Sequence, residues 1–480
     1  MDAYEHLDAM GLAERVRARE VSAEELLELA LRRAEQAQDR YNCFTHLFED
    51  AARRQIAEGL GDGPLAGVPF ATKDLGVQIA GLPLTNGSRA FKDHIADIDS
   101  EIVRRYRAAG LVIMGQTTSP EFGLTTSTES ALYGQTRNPW DVTRSSGGSS
   151  GGASTAVAAG VLPMAQASDG GGSIRIPAAC AGLVGLKPSR GRVPMGPVKT
   201  ENWNGFSTVH CVSRSVRDTA ALLDATHGIE PGARSTAPAQ EESFLTAATR
   251  TPRPLRIALW RTAPNGTVPD ADAHAGMEAT ARLLESLGHT VEEAAPELDG
   301  EALGKAQLMV IAAAMAATAE ALAAALGGAL PDDAFEPVSQ RYIELGRTVP
   351  MVELAKADEA CMQAADQYDR FLTSRGFDLV LAPTLARAPE RLGVLSLAPD
   401  DFDAYAAAIT SYAPWCGLFN QIGAPAISLP LHWTAPSETA PEGLPLGMMF
   451  AGRYGAEGLL LSLAGQLEAA SPWAARRPRL

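Results

Sequence analysis

The sequence predicts an α/β protein organised as one sheet-centred domain. From about residue 64 onward, short apolar runs alternate with stretches of helical periodicity, which is how strands and helices following one another along a chain read. The composition, 46% hydrophobic and 20% charged with a mean hydropathy of -0.05, is that of a soluble globular chain able to bury a large core. No internal repeat at solenoid period breaks the 480 residues into an array.

The first 60 residues read as helices, with Ser22 and Glu25 forming a capping box ahead of the apolar stripe of Leu26, Leu27, Ala30 and Leu31. GVPFATKD then reads as a strand, SEIVRRYRAA as a helix near 100 to 109, and LVIMGQT as a buried strand. After residue 254 the pattern returns: LRIALW, a long helical stretch to about 287, and HTVEEA. DLVLAP (378 to 383), PAISLPL (425 to 431) and LGMMFAG (446 to 452) read as further strands, and EGLLLSLAGQLE as a closing helix. Segments 229 to 254 and 433 to 444 read as surface loops within one domain spanning 1 to 480.

Several function classes are excluded. Lys and Arg number 41 against 57 Asp and Glu, a net charge of -16 that opposes the phosphate neutralisation needed for nucleic acid, and no basic run offsets it. Five scattered cysteines without a CxxC pair suggest neither a disulfide framework nor a zinc knuckle, so a cytoplasmic location is expected. The acidic start, MDAYEHLDAM, lacks the apolar segment of a secretory signal. Residues 306 to 328 are apolar, but they carry Gln307, Thr318 and Glu320 and are mostly Ala, so a buried or half-buried helix is expected and no membrane partner.

Gly and Ser concentrate in RSSGGSSGGAST (144 to 155) and SDGGGSIRIP (168 to 177). A flexible linker would have polar low-complexity flanks, whereas here a small-residue helix and a buried strand follow directly. Packed Gly-rich backbone implies close approach of another chain segment or N–H groups turned to a ligand. Neither GxGxxG nor GxxxxGK[ST] occurs, so a phosphate cradle is not supported. Gly147 to Gly151 match G-x-S-x-G, yet the polar NPWDVTRSS ahead of them is not the apolar strand that a nucleophile elbow requires. A serine hydrolase without histidine remains, since none of the eight histidines sits beside these motifs except loosely His210. Lysine can replace histidine when burial lowers its pKa, and Lys73 at the end of GVPFATKD is the candidate, although a solvated strand-end lysine would look the same.

PLAGVPFATKDL, STESALYGQTRNPWD, GGSSGG and DGGGSIRIPAACAGLVGLKPSRGRV, in that order and spacing, resemble the amidase signature family of Ser-Ser-Lys hydrolases, most strongly over about residues 64 to 195. The resemblance implies one α/β/α domain with a large mixed sheet between helical layers. It places the base on Lys73, the serine after a cis peptide on Ser149, the acylated serine on Ser173 and the oxyanion loop on Gly170, Gly171 and Gly172. Gly123 and Thr125 fall where family members line the acyl pocket. Gly170 departs from the Thr or Ile usual in the family, which suggests a roomier site. Asp74, Asp169 and Arg175 are expected to fix loops or pair internally, and Cys180 and Cys416 to pack in the core.

Within the family, the layout is most similar to bacterial small-molecule amidases, cyclic-dimer hydrolases of nylon oligomers among them. The expected reaction is hydrolysis of a C–N amide bond, anilides and carbamates included, without cofactor, metal or nucleic acid, in a monomer or homodimer. The alternative is the glutaminase component of glutamyl-tRNA amidotransferase, its A chain, where Gln is usual at the position of Ile176. Residues 120 to 130, 306 to 328 and 400 to 424, rich in Ala, Met, Phe and Tyr, are expected to shape an apolar substrate site.

Overall fold

A computed structural model describes residues 4–328, 330–331 and 333–478. The first three residues of the expected N-terminal helical segment, and the last two of the chain, lie outside them. Helix Ala23–Tyr41 opens on the expected capping box: Ser22 Oγ accepts the Glu25 N–H (3.1 Å) and Glu25 returns its carboxylate to the Ser22 N–H (2.8 Å). It buries the Leu26, Leu27, Ala30 and Leu31 stripe. The all-helical reading of this segment needs one correction. Asn42 turns the chain with a left-handed φ of 55°, and Phe44–Leu47 forms a strand too short to show a period of its own.

That strand lies antiparallel to Val112–Thr117, which pairs on its other side, in parallel, with Pro69–Lys73. The main sheet has eight strands in the order Thr290–Glu293, Arg256–Leu259, Leu379–Pro383, Pro445–Ala451, Ala426–Trp433, Val184–Lys187, Thr208–Ser213 and Met164–Asp169. Its first three strands run parallel and the remaining pairs antiparallel, so the sheet is mixed. Helices cover both faces. Neighbouring residues of a strand point to opposite sides, and a Cβ at Gly447 would meet Ala179 of helix Arg175–Ala181, while the Met448 side chain abuts Gly276 of helix Ala271–Ser286. One hydrophobic core joins residues from Tyr4 to Trp473.

The two sheets are not continuous. Pro69–Lys73 runs beside Met164–Asp169 without a ladder between them; instead the Lys73 N–H donates to the Gln166 side chain at 2.6 Å. This seam is where the serines gather. Segment 229 to 254, expected to be loop, contains the short helix Phe244–Thr249, capped by Ser243.

Helix Gly300–Ala325 is long and apolar enough to cross a membrane by length and composition alone, and a third of its most apolar window is buried. Its Leu303, Ala306, Val310, Ile311, Met315 and Ala319 form one buried stripe at helical spacing, and the opposite side, with Leu308, is exposed.

Candidate active site

Every residue of strand Pro69–Lys73 is buried, and Lys73 at its end is 0% exposed. Its Nζ lies 2.7 Å from Ser149 Oγ, 3.0 Å from Ser150 Oγ and 3.1 Å from Ser168 Oγ. Burial lowers its pKa to about 7 against an opposing pull from the Asp169 carboxylate, so the neutral amine is accessible near neutrality. Asp74 faces away: it accepts from the Thr85 N–H at 2.7 Å, from the Thr85 hydroxyl, and from the Asn86 and Gly87 N–H groups at 3.3 and 3.4 Å. Burial alone does not make a base. Lys187 is buried as deeply and its pKa is also drawn down to about 7, first by burial and then by Arg175, yet its Nζ donates to Pro188 O and meets no serine.

Ser149 follows a cis peptide from Gly148 and precedes helix Gly151–Ala158. The segment before it, expected to be turn-like, holds strand Asp141–Ser145, but this pairs only in a two-stranded hairpin and does not belong to the main sheet. Gly123 presses on Ser149 from the other side. Its φ is 70°, and a Cβ there would sit 2.9 Å from Ser149 Oγ, so any side chain would push the hydroxyl off Lys73.

Ser173 sits on a turn organised by Asp169. This buried carboxylate accepts from the Gly172 N–H (2.7 Å), the Ile174 N–H (3.2 Å), Arg175 Nε and Nη2 (2.9 Å each) and Asn420 Nδ2 (2.8 Å). Burial would raise its pKa, but Arg175 and the other donors hold it at about 2, a fixed anion with a structural task. Arg175 is spent on Asp169, Cys416 O and Asn420 Oδ1. The Gly172 N–H is thereby committed, whereas those of Gly171 and Ser173 have no partner among the described residues.

Ser149, Ser168, Gly170 and Ser173 line one cavity of about 310 Å³, with Lys73 behind its floor. Among the described residues no hydrogen bond joins Ser149 Oγ directly to Ser173 Oγ. Gly123, Phe122, Met315 and Thr318 come from two of the three segments expected to shape the site. The third, 400 to 424, contributes no lining residue; Cys416 packs beneath Gly172 instead, where a Cβ would meet it at 2.8 Å. Much of the wall comes from 75 to 102 and 195 to 209, long connections without the periodicity that would have marked them. Thr125 is buried off the cavity, its hydroxyl donating to Leu395 O at 2.8 Å.

The site is not roomier at Gly170. A Cβ there would lie 2.6 Å from the Trp203 ring, so the indole occupies the space of the missing side chain. Trp203 and Asn204 reach this place with φ of 49° and 52°, left-handed values uncommon outside glycine. Of the histidines, His210 is buried with Nε2 3.1 Å from Thr219 O, burial pushing its pKa down to about 4, while His94 lines the cavity, which sequence reasoning missed. Ser150 and Ser168 were missed as lysine partners, although each adjoins a singled-out residue. Asn420 carried no such signal. Cys180, Cys416 and the other three cysteines are buried and unpaired.

A family model described as Amidase matches residues 25–461. The 6-aminohexanoate-cyclic-dimer hydrolase of Paenarthrobacter ureafaciens is 37% identical over 484 residues, covering 98% of this chain and 96% of that protein. A solved structure of 6-aminohexanoate cyclic dimer hydrolase superposes with a TM-score of 0.92 at 36% identity, covering 99% of both chains. The glutaminase component of glutamyl-tRNA(Gln) amidotransferase from Thermotoga maritima matches at 25% identity with a TM-score of 0.73, over 98% of this chain and 96% of that one.

Proposed function

This chain belongs to the amidase family, and from that premise we propose that it hydrolyses an amide bond of a small, largely apolar molecule through an acyl-enzyme on Ser173, its residues acting as one catalytic domain. The observation that carries the reading is the buried Lys73 amine 2.7 Å from Ser149 Oγ, behind a cavity that Ser149 shares with Ser173. Neutral Lys73 takes the Ser149 proton while Ser149 takes that of Ser173, whose oxygen bonds to the substrate carbonyl carbon. A hydroxyl suits the middle position because it donates and accepts at once.

The oxyanion then meets the N–H groups of Gly171 and Ser173, each such donor lowering the barrier by ~3 kcal/mol in other hydrolases. Gly172 keeps the loop in place through Asp169. On collapse the C–N bond breaks and the relay runs backward: Ser149 gives its proton to the departing nitrogen and recovers one from Lys73. Water attacks the ester along the same path, its proton passing to Lys73, and the acid leaves as Ser173 is re-protonated.

Leu75, Leu84, Phe91, Ile102 and Phe122 in the cavity wall support an apolar substrate. Likeness to 6-aminohexanoate cyclic dimer hydrolase, at higher identity and TM-score than to the amidotransferase component, supports a stand-alone small-molecule amidase over a member of an amidotransferase complex. The five free, buried cysteines fit a reducing cytoplasm. The reaction calls on no metal, nucleotide, nucleic acid or membrane, and it fits a monomer or a homodimer.

A panel of aryl amides, anilides, carbamates, linear amides and cyclic lactam dimers, assayed after EDTA treatment and without ATP, should yield at least one substrate. Intact mass with a fluorophosphonate should show one adduct, absent in Ser173→Ala. An adduct retained in that variant would move the nucleophile to Ser149, and dependence on ATP with glutamine would favour the amidotransferase alternative.

A further inference from the structure

The catalytic cavity is not closed at its far end. Phe91, His94, Lys199 and Thr318 line it and also line a second cavity of about 940 Å³, so the four form a shared collar between two chambers. The outer chamber is walled by Ala317, Ala321, Leu322 and Ala325 of helix Gly300–Ala325 and by Leu132 and Pro331. Both chambers are therefore largely apolar where they flank a collar that carries hydrogen-bonding groups.

The collar is held by neighbours on both sides. Phe91 meets Phe122 edge-on at 5.9 Å and His94 edge-on at 6.1 Å. Thr318 Oγ1 gives its proton to Ala314 O in its own helix (2.9 Å), so its remaining capacity toward the collar is as an acceptor. Lys199 is exposed and supplies donors only. One acceptor and one donor set between apolar compartments match a group carrying both an N–H and a C=O. A carboxylate would use the lysine and leave the threonine oxygen facing an acceptor.

We propose that the collar holds a second amide of a linear oligoamide whose first amide lies at Ser173, the chain beyond it running into the outer chamber along helix Gly300–Ala325. The proposal rests on the reading of Ser173 as nucleophile and adds the substrate class: chains in which apolar segments alternate with amides, open-ended and longer than the 310 Å³ chamber alone would hold.

The test separates binding from turnover. Calorimetry with the non-acylating Ser173→Ala protein would compare aliphatic bis-amides of graded methylene spacing with monoamides and ω-carboxylates of equal length. The bis-amide should bind about tenfold tighter at one preferred spacing. Lys199→Met and Thr318→Val should each remove about three- to tenfold of that preference, one hydrogen bond's worth. Ala321→Trp, which fills the outer chamber, should lower the ratio of long bis-amide to short amide affinity at least tenfold. Equal binding of mono- and bis-amide, a preference for the carboxylate, or an Ala321→Trp variant that leaves the ratio unchanged would overturn the collar. Absence of a Ser173 adduct in the native protein would instead overturn the nucleophile while these affinities still decide the collar.

Discussion

Lys73 makes three contacts, and a neutral amine has two hydrogens and one lone pair. Ser150 settles how they divide. Its hydroxyl donates to Ser168 O (3.2 Å) and accepts from the Ser168 N–H (3.3 Å), so toward Lys73 it is an acceptor. With Ser168 Oγ taking the second N–H, the lone pair is left for the Ser149 proton. Ser150→Ala should therefore loosen the aim of the lone pair and lower kcat about tenfold or more with little change in KM, which steady-state kinetics would show. Because the lysine pKa is lowered to about 7, kcat/KM should rise with pH through one ionisation near that value and then level off. Lys73→Arg should lose nearly all of kcat, since a guanidinium stays protonated, while the variant still binds substrate. A flat profile between about pH 6 and 9 would exclude the neutral-lysine base.

At the scale of elements, the site is a seam between two sheets closed by loops. The seam was largely legible. The Lys73 strand, the GGSSGG turn and the SDGGGS turn each carry composition that a linker or an ordinary strand does not explain, and their order supports the family resemblance. The loops were not legible, because nothing in ENWNGF signals that Trp203 adopts a left-handed φ and fills the space beside Gly170. Asn420 binds Asp169 from 251 residues away, a contact made by tertiary packing and not by local pattern. The Trp203 contact yields a prediction. Gly170→Thr should force the indole away and cost about tenfold or more in kcat/KM, a crowding cost of roughly 1 to 3 kcal/mol. Trp203→Ala in the same chain should return most of it. A double-mutant cycle measures this; additive losses would mean that the two side chains do not share the space.

The whole molecule bears the cost of keeping an ionisable base inside. The chain has a net charge of -16, yet Asp169 and Arg175 pair fully buried at 2.9 Å and Arg192 and Glu457 at 3.0 Å, each ion satisfied by its partner. Lys73 has no such partner: its contacts are hydroxyls, and the Asp169 charge only partly offsets its burial. A lysine pKa lowered from 10.5 to about 7 in the fold means that the unfolded chain binds a proton that the folded one does not, so the contribution to stability rises with pH between those values. Below about pH 7 both states are protonated and the fold carries the full cost, of the order of 4 kcal/mol. Lys73→Met removes it. The variant should be inactive but more stable than the native protein, its melting temperature higher by about 2 to 4 °C at pH 6 to 7. The gain should shrink as pH approaches 10, because the native lysine is then neutral in the fold at progressively smaller cost relative to the unfolded chain. Scanning calorimetry at pH 6, 8 and 9.5 would test both the sign and the trend. A variant less stable than the native protein at pH 6 would mean that Lys73 is held there as a stabilised ammonium, and the relay would lose its base.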